Sequence, residues 1–340
     1  MLKTRNRSLV LRERPTGEVG DEHFEMVEGP VPTPRAGEVV IRNEWLSFDP
    51  AQRGWMNDVR SYAPPVAIGE VMRAYGVGMI VASEHADLPV GTRVQGQLGW
   101  QEYAHIPPGG IGELTIVPPE IAHPETMLGV LGLTGLTAYF GMLMVGIPGV
   151  GDTVLVTAAA GATGSIAGQI ARINGASRVV GTAGTAEKRA WVCEVAGFDE
   201  CLDHYDDDVR RQLRRAAPGG YDVVFDNVGG SLLDAALFNI AERGRIALCG
   251  SISTGYRPER PAIGLHYYQL LTTRRSRMEG FLVTDFADQF DRARGDLSRW
   301  VDEGKIQASQ DVLTGLERAP TGLARLFSGG NLGKQLLRLS

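Results

Sequence analysis

The chain has 340 residues, 43% of them hydrophobic and 22% charged, with a formal net charge of -6. That length suits two domains better than one, and the acidic balance offers no surface for nucleic acid. Three cysteines, Cys193, Cys201 and Cys249, make neither a paired framework nor a C-x-x-C, which points to a reducing cytoplasm and away from a structural zinc.

The first residues, MLKTRNRSLVLRERP, are basic but lack an apolar core, so they do not read as a signal peptide. The runs GEVVIRNEWLSF, VGMIVASEH and TRVQGQLGWQEYAHI are β-rich and are separated by Pro/Gly turns. They predict a small barrel-like β domain over residues 1–125. From Thr126 to Gly151 there is no charge, a length that could span a membrane. Seven glycines between Gly129 and Gly151 argue instead for a buried helix and loop.

The rhythm then changes to strand and helix in alternation. DTVLVTAAA, RVVGTAG, ECLDHY, YDVVFDNVGG, GRIALCGSIS and MEGFLV read as six strands. Between them, TAEKRAWVCEVAG has Thr185 as N-cap and Gly197 as stop, and DDDVRRQLRRAAPGG carries acids at its start and arginines at its end, as the helix dipole favours. The fold class is α/β, with a doubly wound parallel sheet over residues 126–305. Residues 306–340 revert to short strands around a helix.

The turn AAAGATGS (158–165) sits after a strand and opens a helix. It departs from G-x-G-x-x-G, since Ala159 stands at the first glycine and Gly161 and Gly164 fill the other two places. Gly161 would admit a pyrophosphate, Gly164 would let the helix pack closely, and the N–H groups of the first helical turn would meet the anion. Ala159 needs only a turn with negative φ. A site for NAD usually ends its second strand on an acid that holds the ribose 2′-OH. Here that end offers Gly181, Ala183 and Gly184, and Lys188 and Arg189 follow. Cations in a first helical turn oppose the dipole unless an anion lies nearby, so NADP(H) is expected.

These motifs resemble the medium-chain dehydrogenase/reductase superfamily, most of all its zinc-independent group of prostaglandin reductases, leukotriene hydroxydehydrogenases and double-bond (curcumin) reductases. The carriers are LSFDPAQRGWM (46–56), GLTGLTAYFGM (132–142), the 158–165 turn, GTAEK (184–188), FDNVGG (225–230), GSIS..Y (250–256), MEGF (278–281) and GNLGKQLL (330–337). The resemblance covers essentially the whole chain. It implies a GroES-like β-barrel domain with a Rossmann domain inserted, the last segment returning to the first domain, and a homodimer. It also implies NADPH held by Ala160, Gly161, Ala162, Thr163, Gly164 and Gly184, with Lys188 and Tyr205 on the 2′-phosphate. Asn227, Ser251, Phe281, Val283, Asn331 and Gly333 complete the set, with Cys249, which otherwise reads as packing at a strand end. Tyr256 is expected beside the nicotinamide.

One departure stands out. The family usually has Tyr after the Asp-Pro of its first motif, and here Asp49 and Pro50 are followed by Ala51. The candidate substrate-pocket residues are Asp49, Arg53, Tyr62, Tyr267 and Tyr268, the last two on a predicted helix in GLHYYQLL, where the alternative is a packing or interface role. Tyr62 could fill the space of the missing Tyr, and Arg53 could meet an acidic substrate or a surface carboxylate. The six histidines show no close ligand spacing and no Cys lies in the β domain, so no catalytic zinc is expected.

Without a metal, reduction of a conjugated C=C bond is the expected chemistry. Hydride goes to the β-carbon of an enal or enone, and Tyr256 with the ribose 2′-OH stabilises the enolate. The rivals are an NADPH-dependent quinone reductase and a non-catalytic NADPH-binding sensor.

Overall fold

An antiparallel pair opens the chain: β1 (Arg5–Leu11) lies against β2 (Phe24–Pro30), with Arg5 opposite Pro30 and Leu11 opposite Phe24. No alternation of apolar residues marks β1, because two of its inward positions are the polar Asn6 and Ser8. The Asn6 side chain stands in for a strand partner. Its Nδ2 donates to the Tyr103 carbonyl at 2.8 Å and its Oδ1 accepts from the Tyr103 N–H at 2.9 Å, which satisfies a buried amide completely enough to keep it inside. The structure, a computed structural model, describes residues 4–258 and 264–339.

β3 (Val39–Ser47) follows, then the short helix α1 (Ala51–Trp55), β4 (Tyr75–Ser83), β5 (Arg93–Gln97), β6 (Tyr103–Ile106) and β7 (Thr115–Ile116). The stretch 92–106, read as one β run, is two strands. Gly99 turns between them at φ +71, in the left-handed region. Trp100, fully buried, packs with Phe24 and Phe48 at the centre of one core of this unit. A second core gathers Val39, Ile41, Ile80 and Val94.

The uncharged stretch holds α2 (Leu133–Phe140) and a π-helical turn, Gly141–Gly146, with Leu136, Ala138 and Phe140 buried. No helix among the described residues is long and apolar enough to cross a membrane. There follow β8 (Thr153–Val156), α3 (Ala162–Ile173), β9 (Arg178–Ala183), α4 (Ala186–Glu194), β10 (Glu200–Asp203), α5 (Val209–Ala216), β11 (Tyr221–Asp226), α6 (Gly230–Phe238), β12 (Ile240–Leu248), α7 (Gln269–Thr273), β13 (Arg277–Gly280) and α8 (Phe290–Asp302). The six strands form one parallel sheet in the order β10-β9-β8-β11-β12-β13. The order reverses beside β8, and in such sheets ligands sit beyond the strand ends at that point.

Two expectations shift by a few residues. The sixth strand ends at Gly280, so Phe281 and Val283 lie beyond it. Tyr267 and Tyr268 precede α7 rather than lying on it, Tyr268 being its N-cap. The chain closes with β14 (Gln310–Thr314), α9 (Ala319–Ser328) and β15 (Lys334–Arg338). β15 pairs antiparallel with β3, Leu336 opposite Ser47, in a seven-stranded sheet ordered β14-β15-β3-β4-β5-β7 with β6 on β3. Two compact units result. One comprises the chain up to Leu128, a short excursion beginning at Tyr256, and the chain from Asp311 onward; the other is the remainder.

Candidate functional site

The turn after β8 is held by backbone bonds to both neighbouring strands: Thr157 N–H donates to the Phe225 carbonyl at 3.0 Å and Ala159 N–H to that of Thr182 at 2.9 Å. The left-handed residue is Ala158, at φ +50, not Ala159 at the first motif position. Gly161 caps α3 and has no side chain to satisfy the first N–H groups, so those of Ala162, Thr163 and Gly164 are left for an anion. A Cβ on Gly164 would lie 2.4 Å from the Ala158 carbonyl oxygen, closer than any real contact, which is why the helix can start so near the strand. Ala160 is buried at the bend.

At the ends of β9 and β10 a second group converges. The Thr185 hydroxyl accepts from the Lys188 N–H at 3.2 Å and caps α4. Arg189 is bound internally, to Asp203 at 2.8 Å and to the Gly184 carbonyl at 3.0 Å. A Cβ on Gly184 would lie 2.7 Å from the Tyr205 ring, so glycine lets that exposed ring cover the strand end. His204, which the sequence reading passed over, lies against Tyr205 with ring centroids 4.2 Å apart. Burial pushes His204 below the usual imidazole range, opposed by Asp203 and aided by the nearby Lys188 and Arg189.

Beyond β11, the Thr157 hydroxyl accepts from the Asn227 N–H and donates to Asp226 Oδ1, both at 2.8 Å. Asp226 is fully buried and also accepts from the N–H groups of Val228 and Gly229, at 3.2 and 2.9 Å. Burial nevertheless raises its carboxyl above the usual range. Asn227 spends Nδ2 on the Thr157 carbonyl at 2.8 Å, so Oδ1 is the acceptor it can offer a ligand. Cys249 follows β12, its N–H bound to the Asp226 carbonyl at 2.8 Å, and burial pushes its thiol up to about 12. Ser251 opens a 3-10 turn over Ile252–Thr254. Phe281 packs edge-on to Phe225, and Val283 starts another 3-10 turn. Tyr267 is a packing residue of this unit, its ring edge-on to Phe238 and its hydroxyl accepting from Arg210 at 2.5 Å, whereas Tyr268 is exposed.

In the first unit, Asp49 is tied into the fold. It accepts from the buried Lys334 ammonium and from the Ser47 hydroxyl, each at 2.5 Å. Arg53 is a core residue, 1% exposed, donating to the Pro15 carbonyl at 2.8 Å and to Asn57 Oδ1 at 2.5 Å. The guanidinium, expected to meet an acidic substrate or a surface carboxylate, is instead buried and donates within its own unit. The exposed Tyr62 accepts from the Trp55 indole N–H at 3.2 Å. Tyr256 has φ +51, and its carbonyl accepts from Asn57 Nδ2 at 2.7 Å. Asn331 donates to the Gly333 carbonyl at 2.9 Å and so closes its own loop, with Gly333 at φ +68.

A family model described as the N-terminal domain of oxidoreductase matches residues 7–114, and one described as zinc-binding dehydrogenase matches residues 162–299. The chain is 40% identical to the NADPH-dependent curcumin reductase of Escherichia coli (strain K12), over 99% of this chain and 98% of that one. It is 37% identical to the 2-alkenal reductase (NADP(+)-dependent) of Nicotiana tabacum, over 98% of each. The chain belongs to the double-bond reductase group of the medium-chain dehydrogenase/reductases. The crystal structure of CurA in complex with NADPH from Vibrio vulnificus superposes with a TM-score of 0.92, at 38% identity, over 98% of this chain and 99% of that one.

The residues of this double-bond reductase do not fit the zinc that one matched description implies. Among the described residues no group of three or more His, Cys, Asp or Glu could hold a metal ion. All three cysteines lie outside the first unit. The residues do fit a dinucleotide: Gly161 leaves the first N–H groups of α3 without a side-chain cap, Gly164 lets the helix start against the strand, and Gly184 makes room for the Tyr205 ring.

Proposed function

We propose that this double-bond reductase uses NADPH to saturate the C=C bond of α,β-unsaturated aldehydes and ketones. The observation that carries the proposal is the full-length likeness to reductases named for curcumin and for 2-alkenals. The strand end at Gly184 supports the choice of NADPH, because it offers Lys188 and Tyr205 to a phosphate and no carboxylate to a ribose.

The 158–164 turn and the first N–H groups of α3 would hold the pyrophosphate, Lys188 and Tyr205 would hold the 2′-phosphate, and the Asn227 carboxamide would meet the nicotinamide. When bound, NADPH supplies the hydride that the β-carbon of the substrate accepts. As the β-carbon gains that hydride, the substrate carbonyl oxygen becomes an enolate oxygen. The Tyr256 hydroxyl donates to it, stabilising charge that is absent from the ground state. A proton delivered to the α-carbon, by water or a tyrosine, completes a saturated aldehyde or ketone. Asn331 and Gly333 would contact the cofactor, and Tyr62 would fill the space of the family tyrosine that Ala51 replaces. The enzyme works as a homodimer in the cytoplasm.

The test is NADPH oxidation by the purified protein with a medium-chain 2-alkenal, an aryl enone and a benzoquinone, each repeated with NADH. Saturated products and a strong preference for NADPH are expected. Turnover of the quinone alone would replace the proposal with a quinone reductase, and equal use of NADH would remove Lys188 from its role. Tyr256→Phe with undiminished turnover would remove Tyr256.

A further inference from the structure

We infer that Asn57 is the positioning residue for Tyr256, and that Arg53 fixes the direction in which Asn57 hydrogen-bonds; the inference rests on the donor role proposed for Tyr256. Tyr256 has φ +51 and follows Gly255 at φ +64. A residue with a Cβ is disfavoured in that region and stays there only if its surroundings hold it. Asn57 supplies that hold, since its Nδ2 donates to the Tyr256 carbonyl at 2.7 Å. The Tyr256 side chain lies beside α1, where a Cβ on Gly54 would stand 3.8 Å from the ring, and its ring is edge-on to Phe327 at 6.4 Å between centroids.

The chemistry of Arg53 makes the arrangement directional. A guanidinium only donates, so the Asn57 atom it meets at 2.5 Å must be the oxygen. The amide nitrogen is thereby turned to the Tyr256 carbonyl. Arg53 cannot swing away, being 1% exposed with its other terminal nitrogen on the Pro15 carbonyl at 2.8 Å. Nor can Asn57 drift along the chain, because its own N–H donates to the Gly54 carbonyl at 3.1 Å. A backbone bond fixes where the Tyr256 side chain leaves the chain, and therefore where its hydroxyl can reach.

Asn57→Asp is the sharpest probe. It keeps the oxygen that Arg53 binds and replaces the donor facing Tyr256 with a second oxygen, which repels the carbonyl. Steady-state kinetics with a 2-alkenal would be compared for Asn57→Asp, Tyr256→Phe and the double variant, with NADPH binding followed by fluorescence. A shared thermal midpoint within a few degrees would establish that all are folded. Loss of this one hydrogen bond is expected to lower kcat about tenfold with NADPH affinity unchanged, and to add almost nothing once Tyr256 is Phe. Asn57→Ala should show the same pattern, more weakly. If Tyr256→Phe is impaired but Asn57→Asp is not, or if the two losses multiply, Asn57 does not act through Tyr256 and the inference falls alone. If Tyr256→Phe turns over normally, the donor role falls and the positioning role falls with it.

Discussion

Ala159, in the turn after β8, and Gly181, on the neighbouring strand β9, fit each other. A Cβ on Gly181 would lie 2.6 Å from the Cβ of Ala159 and 3.0 Å from the Phe198 ring. Both residues are buried, and the Ala159 N–H donates to the carbonyl of Thr182, next to Gly181. The methyl group that departs from the usual glycine of the phosphate turn is thus accommodated by a glycine on β9. The departure is compensated in space, not tolerated by looseness in the turn.

Gly181→Ala should therefore destabilise the protein by about 1–3 kcal/mol, the usual range for overpacking a well-filled site. Ala159→Gly in the same chain should recover part of that loss. Urea denaturation of the two variants and their combination measures it, and additive losses would show that the two residues do not share one space.

Lys334 is 4% exposed and donates to Asp49 and to the Phe48 carbonyl, joining β15 to the chain just after β3. Lys334→Met should cost about 3 kcal/mol, the low end for breaking a buried pair, because Asp49 keeps some access to water. Adding Asp49→Asn should lessen the loss by removing the stranded charge. Denaturation midpoints decide it.

Lys188 and Arg189 should separate cleanly. Lys188→Ala should raise the KM for NADPH about tenfold or more and leave that for NADH nearly unchanged, as expected for losing a charge-assisted bond to phosphate. Arg189 is already bound to Asp203 and to the Gly184 carbonyl, so Arg189→Ala should lower the thermal midpoint. A selective NADPH defect in Arg189→Ala alone would reverse the assignment.

His204 gives a signed pH dependence. Burial holds its imidazole below the usual value of about 6.5, so below that pH the unfolded chain binds the proton more readily than the folded one. Stability should fall as pH drops through about 6.5. His204→Gln should flatten that part of the profile, and denaturation from pH 8 to 5 compares the two.

The three cysteines should resist the thiol-reactive enals proposed as substrates. Burial pushes Cys201 and Cys249 up to about 12 and raises Cys193 as well, and the thiolate is the attacking form. Incubation with a 2-alkenal at pH 7.5 without NADPH should leave them unmodified by mass spectrometry while glutathione is consumed. Rapid adducts would mean that these thiols open to solvent.

By itself the sequence determined what repeats locally: the strand-helix alternation, the Thr185 cap, the phosphate turn and the absence of an acid at Gly184. Such features lie within a few residues of each other and carry their physics in residue type. Only the tertiary structure decided what rests on distant partners. Asp49 meets a lysine 285 positions away, Asn57 meets Tyr256 across 199, and β1 pairs with polar residues facing inward because Asn6 finds Tyr103. Arg53 reads as a partner for an acidic substrate or a surface carboxylate until the fold buries it. Side-chain partners far apart in the chain leave no periodicity in the sequence, so no local reading of this chain could have found them.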